Sequence, residues 1–89
     1  MGITKSFTIN NEAGLHARPA AVFVKTANQF SSDIWVSKDG EEVNGKSILG
    51  LMMLAAEHGS TIEISVEGED AEKAMEAISS LIMSDFASP

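Results

Sequence analysis

The sequence predicts an α+β domain in which three helices pack on one face of a four-stranded antiparallel sheet. Four short segments alternate polar and apolar residues, a pattern that is typical of half-buried strands. Three other segments carry apolar residues at helical spacing, and the segments follow one another in the order β-α-β-β-α-β-α. Because each strand offers a single apolar face, the helices are expected to share one side of the sheet.

Length and composition favour a single domain spanning residues 1–89, with room for one modest core. The chain contains no cysteine, which suits a reducing cytoplasm. No apolar run approaches the ~18 residues that a bilayer-spanning helix needs, and no signal-peptide pattern opens the sequence. We therefore expect a cytoplasmic protein that makes no membrane contact.

The net charge of the chain limits the classes of ligand that it is expected to bind. Thirteen acidic residues against six basic ones give a formal net charge of −7, which disfavours nucleic acid as a partner. With two histidines and no cysteine, neither a metal site nor a bound cofactor is expected. In so acidic a molecule, Arg18, Lys25 and Lys46 would mark a functional face if they lie on one side.

The first strand is predicted over residues 3–9, where Ile3, Phe7 and Ile9 share one parity. A polar loop follows, and the first helix is predicted over residues 17–28. Its apolar stripe is expected to face the core. This stripe comprises Pro19, Ala20, Phe23, Val24 and Ala27.

A hairpin is predicted next, with strands at residues 33–38 and 41–44 joined by the turn Asp39-Gly40. Ile34, Val36 and Val43 are expected to point inward. Trp35 has the opposite parity, which places it on the outer face of the sheet.

A short, almost wholly apolar helix is predicted from residue 48 to about residue 57, with Ser47 as its N-cap. A domain this small cannot bury every face of such a helix. Leu51 and Leu54 are expected in the core, and the remaining large side chains are expected to form a partly exposed patch. That patch comprises Ile48, Leu49, Met52 and Met53; the alternative is that the two methionines fill gaps in the core.

The last strand and helix close the predicted order. Residues 61–66 alternate as a strand, and Glu69-Asp70 opens the final helix, where acidic residues suit the positive end of the helix dipole. The apolar stripe of this helix consists of Ala71, Ala74, Met75, Ile78, Leu81 and Ile82.

Residues 14–21 contain the candidate functional residues of the chain. His16 falls at the predicted N-cap of the first helix. Pro19 lies in the first turn, where backbone N–H groups make no intrahelical hydrogen bond, so a proline costs nothing there. The free N–H groups of a helix start attract phosphate, and Arg18 adds a charged fork of donors. The positive helix end also favours the neutral, nucleophilic imidazole. These features favour phosphoryl acceptance on His16; a purely structural histidine is the alternative.

A competing motif lies at residues 40–47, which match the G-x-x-x-x-G-K-S pattern of nucleotide-binding loops. Glu41 and Glu42 would place two negative charges in a loop that must wrap phosphates. The hairpin already accounts for this stretch, and the chain is too short for a parallel nucleotide-binding sheet. Nucleotide hydrolysis is therefore disfavoured.

Residues 14–20 (GLHARPA) and 44–50 (NGKSILG) closely resemble the two signatures of the HPr family, the histidine phosphocarriers of the bacterial phosphoenolpyruvate:sugar phosphotransferase system. Element order and length fit this family from end to end. The resemblance implies the HPr-like open-faced β-sandwich with strand order 1-4-2-3. It also implies that His16 accepts a phosphoryl group on Nδ1 from Enzyme I and passes it to IIA domains of sugar transport complexes.

The resemblance also implies the roles of individual residues. Ala17 and Arg18 would hold the phosphoryl group, and Ser47 would be the serine modified by HPr kinase/phosphorylase. Such a protein is a monomeric carrier and not an enzyme with turnover of its own. Ala13 stands where relatives often carry a small polar residue, so one polar contact is expected to be missing. The expected docking residues are Ala17, Ala21, Val22, Lys25, Lys46, Ser47, Ile48, Leu49, Met52 and Met53.

Two alternatives to a sugar-branch carrier remain open at this point. The first is a nitrogen-related or regulatory paralogue within the same family. The second is a small interaction module that is never phosphorylated.

Overall fold

The computed structural model describes residues 2–87; Met1 and residues 88–89, at the two ends of the predicted domain, lie outside the described residues. The predicted order β-α-β-β-α-β-α is confirmed. The elements are β1 (Gly2–Thr8), α1 (Ala17–Ala27), β2 (Asp33–Lys38), β3 (Glu41–Asn44), α2 (Ile48–Met53), β4 (Thr61–Glu67) and α3 (Ala71–Met83).

The four strands form one antiparallel sheet in the order β1-β4-β2-β3, as the resemblance implied. β4 therefore lies inside the sheet, between β1 and β2. Its register places Val66 opposite both Ile3 and Ile34, and places Ile64 opposite Val36. At these positions apolar residues oppose apolar residues across the strands, so one face of the sheet is largely apolar, and the helices cover it. Lys5, opposite Ile64 on the edge strand β1, is a charged residue on this face.

The predicted core stripes of α1 and α3 are buried in full. Leu51 and Leu54 are also buried, as predicted, and Trp35 lies on the outer face of the sheet with 40% of its surface exposed. Ile9 follows the end of β1 and is fully buried, so the predicted strand was placed one residue too far along the chain.

The second helix is shorter than predicted. It ends at Met53, and Ala55 adopts a positive φ of 53°, so the prediction that α2 reaches about residue 57 was wrong. The turn brings Ala56 into the core, where its carbonyl accepts the N–H of Leu15 at 2.8 Å. The left-handed conformation of Ala55 ends the helix, and the chain that follows it contacts the loop before α1.

The acidic start of α3 also has a role that the sequence did not predict. Asp70 is the N-cap residue, yet its carboxylate makes no bond to its own helix. It accepts the backbone N–H groups of Ser31 at 2.9 Å and Ser32 at 3.0 Å, together with the Ser32 hydroxyl. Asp70 thus fastens the turn before β2 to the start of α3.

Within residues 2–87, none of the helices is long and apolar enough to cross a membrane.

Candidate functional site

His16 occupies the N-cap of α1, as predicted, with an extended backbone at φ −91° and ψ −165°. Its carbonyl accepts the N–H of Ala20 at 2.9 Å, which starts the helix, but its side chain makes no capping bond and is exposed. Across residues 2–87, the N–H groups of Ala17 and Arg18 donate to no backbone or side-chain acceptor. The start of α1 therefore presents an exposed imidazole beside two free backbone donors and the Arg18 guanidinium.

The loop that leads to His16 is held by hydrogen bonds on several sides. Gly14 has a positive φ of 71°, and its N–H donates to the Asn11 carbonyl at 3.1 Å. The Asn11 side chain returns a bond from Nδ2 to the Gly14 carbonyl at 2.6 Å. Leu15 is buried, and its N–H donates to Ala56. The backbone before His16 is thus fixed by both local and long-range contacts.

A shallow depression of about 440 Å³ lies beside His16. Sequence reasoning placed His16, Arg18 and Pro19 here, but the depression is also lined by the segment that follows α3, including Asp85 and Phe86. Asp85 and Phe86 therefore border the candidate site, which the motif alone did not indicate. No local pattern links these two residues to His16, which lies about seventy positions earlier.

The segment after α3 is held against the core by a helix-ending motif. The N–H of Phe86 donates to the Leu81 carbonyl at 2.8 Å, and that of Asp85 donates to the Ile82 carbonyl at 3.0 Å. These two bonds are those of a Schellman motif, in which Asp85 takes the left-handed conformation that glycine usually supplies. The Phe86 side chain is buried. The segment that lines the depression is therefore held in place by two backbone hydrogen bonds and by the burial of Phe86.

Ser47 forms the N-cap of α2, as predicted, and its Oγ accepts the N–H of Gly50 at 2.9 Å. Behind it the predicted apolar patch is exposed, with Leu49 at 69% and Met53 at 65% of their full surface. Ile48 and Met52 are also exposed. The alternative prediction, in which Met52 and Met53 fill gaps in the core, is therefore wrong.

The remaining predicted docking residues lie on neighbouring elements. On α1, Ala17, Ala21 and Lys25 are exposed and Val22 is half-buried. α1 and α2 pack against each other, so their exposed sides adjoin. Lys46 is half-buried, and its Nζ donates to the Phe30 carbonyl at 2.8 Å, just beyond the end of α1. This cation therefore ties the Ser47 turn to α1 in the unbound protein.

Over residues 2–87, no group of three or more His, Cys, Asp or Glu side chains is placed to hold an ion. His58 is exposed in the turn before β4.

Comparison with known proteins agrees with this fold. The family model described as "PTS HPr component phosphorylation site" matches residues 3–84. The phosphocarrier protein HPr of Neisseria meningitidis is 49% identical over 84 residues, covering 94% of each chain. The HPr-like protein Crh of Halalkalibacterium halodurans is 50% identical over 80 residues, covering 90% of this chain and 95% of its own.

Solved structures give the same result. A crystal structure of HPr from Thermoanaerobacter tengcongensis superposes with a TM-score of 0.92 at 48% identity, covering 98% of both chains. A second structure from that organism, described as an HPr dimer, has a TM-score of 0.78 at 51% identity and covers 92% of this chain and 94% of its own. The fold and the exposed histidine define a small phosphocarrier of the bacterial phosphotransferase system. This chain belongs to the HPr family.

Proposed function

We propose that this protein carries a phosphoryl group on His16, which it accepts from phospho-Enzyme I and passes to IIA domains of sugar transport complexes. The observation that carries the proposal is the open start of α1. There the exposed imidazole stands beside the free N–H groups of Ala17 and Arg18 and the Arg18 side chain. A structural histidine would be expected to use its ring as a cap or to bury it, and His16 does neither.

The chemistry follows from these donors. A neutral ring nitrogen of His16 attacks the phosphorus of the donor, so that a new N–P bond forms as the bond to the donor breaks. The phosphoryl oxygens then accept the two backbone N–H groups and the guanidinium. Charge-assisted bonds of this kind contribute ~1.5–3 kcal/mol each, enough to hold the group while a partner can still remove it. The protein is in this sense a carrier and not an independent catalyst.

Partner docking is assigned to the exposed patch of α2 together with the adjoining side of α1. Leu49 and Met53 expose apolar surface that the fold does not use. Exposed apolar side chains grouped beside a reactive residue are typical of a protein-binding surface, and flexible methionines suit a carrier with several partners. Lys25 adds a cation to the edge of this surface.

Ser47 is the proposed regulatory site, with HPr kinase/phosphorylase as the modifying enzyme. A phosphate on Ser47 would remain at the start of α2, where negative charge is tolerated. The same charge would stand beside Ile48 and Leu49, where a docking partner would have to desolvate it. Modification is therefore expected to weaken docking without unfolding the domain.

Phosphorylation on His16 is tested by incubating the protein with Enzyme I and phosphoenolpyruvate and measuring the intact mass at alkaline pH, where phosphohistidine persists. The native chain should gain one phosphoryl group. The variant His16→Ala should gain none, and the control His58→Ala should behave like the native chain. Labelling that persists in His16→Ala would contradict the proposal.

The docking surface is tested by Leu49→Asp, with Met83→Asp as the control. Both residues are exposed, Met83 at 78%, but Met83 lies at the end of α3 and outside the α2 patch. Leu49→Asp should raise the half-saturating concentration for phosphorylation by Enzyme I about tenfold, which corresponds to ~1.4 kcal/mol. Met83→Asp should leave it unchanged. A large drop in melting temperature for Leu49→Asp would show instead that Leu49 supports the fold.

A regulatory paralogue is the second candidate, because the Crh relative is about as similar as the HPr relative. The two candidates differ in the mass experiment, since a chain that serves regulation alone would be modified on Ser47 and not on His16.

We further propose a monomer in the cytoplasm. Because several structural relatives are described as dimers, sedimentation at micromolar concentration is the direct test of the monomer.

A further inference from the structure

Asn11 is a further polar residue at the His16 site, and neither of the two signature segments includes it. It lines the same depression as His16 and Arg18. Its Nδ2 donates to the Gly14 carbonyl at 2.6 Å, and its own carbonyl accepts the Gly14 N–H at 3.1 Å. Asn11 therefore closes the turn that leads into the start of α1 through both its side chain and its backbone.

The bond from Asn11 acts on one particular peptide group. The peptide between Gly14 and Leu15 has its carbonyl held by Asn11 Nδ2 and its N–H held by the Ala56 carbonyl at 2.8 Å. A peptide fixed at both ends of its dipole cannot rotate without breaking a bond. The next residue along the chain is His16, so the direction of this peptide determines where the backbone of His16 begins.

The cost of keeping an asparagine here indicates a role beyond packing. Asn11 Oδ1 is buried and has no hydrogen-bond partner among the described residues. An unpartnered buried acceptor destabilises the folded protein, and such atoms in native proteins call for an explanation. The amide cannot be turned to satisfy Oδ1, because Nδ2 is the donor that the Gly14 carbonyl needs.

We infer that Asn11 is a positioning residue for phosphoryl transfer, which holds the Gly14–Leu15 peptide so that His16 and the free N–H groups of Ala17 and Arg18 face the same phosphoryl group. This inference rests on the proposed function of His16.

The test uses the variants Asn11→Ala and Asn11→Asp, with Asn10→Ala as the matched control. Asn10 is exposed, adjacent and of the same residue type. Asn11→Ala removes the donor, and Asn11→Asp places a carboxylate against the Gly14 carbonyl. Each should lower the maximal rate of phosphorylation by Enzyme I at least about tenfold, because displacement of a reacting group by a fraction of an ångström is costly. The half-saturating concentration should change less than about twofold, since the docking patch is untouched.

A second readout does not depend on phosphorylation. Both Asn11 variants should shift the backbone amide resonances of Leu15, His16 and Ala17 and speed hydrogen exchange at the Leu15 N–H, whereas Asn10→Ala should do neither. Unchanged resonances, or a maximal rate equal to that of the native chain in a folded variant, would overturn the inference. If the native chain itself gains no phosphoryl group, the proposed function fails, and the resonances and exchange rates still decide whether Asn11 fixes the loop.

Discussion

The two long helices begin in opposite ways. At the start of α1, the His16 side chain makes no capping bond, and the next two N–H groups have no acceptor among residues 2–87. At the start of α3, the Asp70 carboxylate accepts donors from Ser31 and Ser32, about forty residues away in the chain. One helix start leaves its donors available to a ligand, and the other joins distant segments of the fold. The comparison separates the proposed phosphoryl site from a helix start that fastens the fold.

Asp70 also shows an electrostatic consequence of being used for structure. Hydrogen bonds from the Ser32 hydroxyl and the Ser31 N–H lower the pKa of Asp70 from 3.8 to about 2, because they favour the ionised carboxylate. The contacts at the start of α3 therefore depend on a carboxylate charge that is present at neutral pH. At the start of α1, the proposed negative charge belongs to a phosphoryl group that a partner protein supplies.

The largest effect on stability is expected from Gly14→Ala, which disturbs the loop before α1. A Cβ at this position would lie 2.5 Å from the Ala56 carbonyl oxygen and 2.9 Å from Glu57 Cα, in a residue whose φ of 71° already disfavours alanine. The free energy of unfolding should fall by about 3 kcal/mol or more, as measured by urea denaturation.

Gly59→Ala is the matched control for this clash. Gly59 has a similar φ of 88°, but a Cβ there would meet nothing within 4 Å. It should cost only the ~1–2 kcal/mol of the left-handed conformation. Equal losses in the two variants would mean that the contact with Ala56 does not constrain the loop.

The next largest effect is expected from Asp70→Ala, which removes the bond between the Ser31–Ser32 turn and α3. The melting temperature at pH 7 should fall by about 5 °C or more, whereas Glu69→Ala, an exposed neighbour, should change it little. Phosphorylation of His16 below the melting transition should be unaffected, because the two helix starts are independent.

The same variant gives a test in pH. The folded pKa of Asp70 lies below its ordinary value, so its contribution to stability is complete above about pH 5 and is lost as the pH falls through 3.8 towards about 2. The difference in stability between the native chain and Asp70→Ala should therefore shrink over that interval. A difference that stays constant down to pH 2 would contradict the assignment.

The smallest effect on stability is expected from Arg18→Ala, at the open helix start. Arg18 is exposed, so the free energy of unfolding should change by less than about 0.5 kcal/mol. The rate of phosphorylation should nevertheless fall about tenfold or more, because a charged donor to the phosphoryl group is lost. Lys73→Ala removes an exposed cation from α3 and should change neither quantity. A stability loss in Arg18→Ala like that of Asp70→Ala would remove the contrast between the two helix starts.

Most of the fold could be predicted because it follows from local periodicity. Residues that alternate, or that repeat every three to four positions, must turn one face inward, and these faces formed the core of the sheet, α1 and α3. The end of α2 could not be predicted in this way. Ala55 and Ala56 continue a helical pattern, but the contact between Ala56 and Leu15 breaks it.

In the candidate site, too, local features could be predicted and contacts between distant segments could not. By itself, the sequence determined that His16 and Arg18 stand together at a helix start and that α2 has more apolar faces than the domain can bury, since neighbours in a helix are neighbours in the chain. Only the tertiary structure decided that Asp85 and Phe86 border His16, and that Asp70 binds Ser31 and Ser32 and not its own helix. Such contacts join segments tens of residues apart, and their partners are selected by packing and hydrogen-bond geometry that no local pattern encodes.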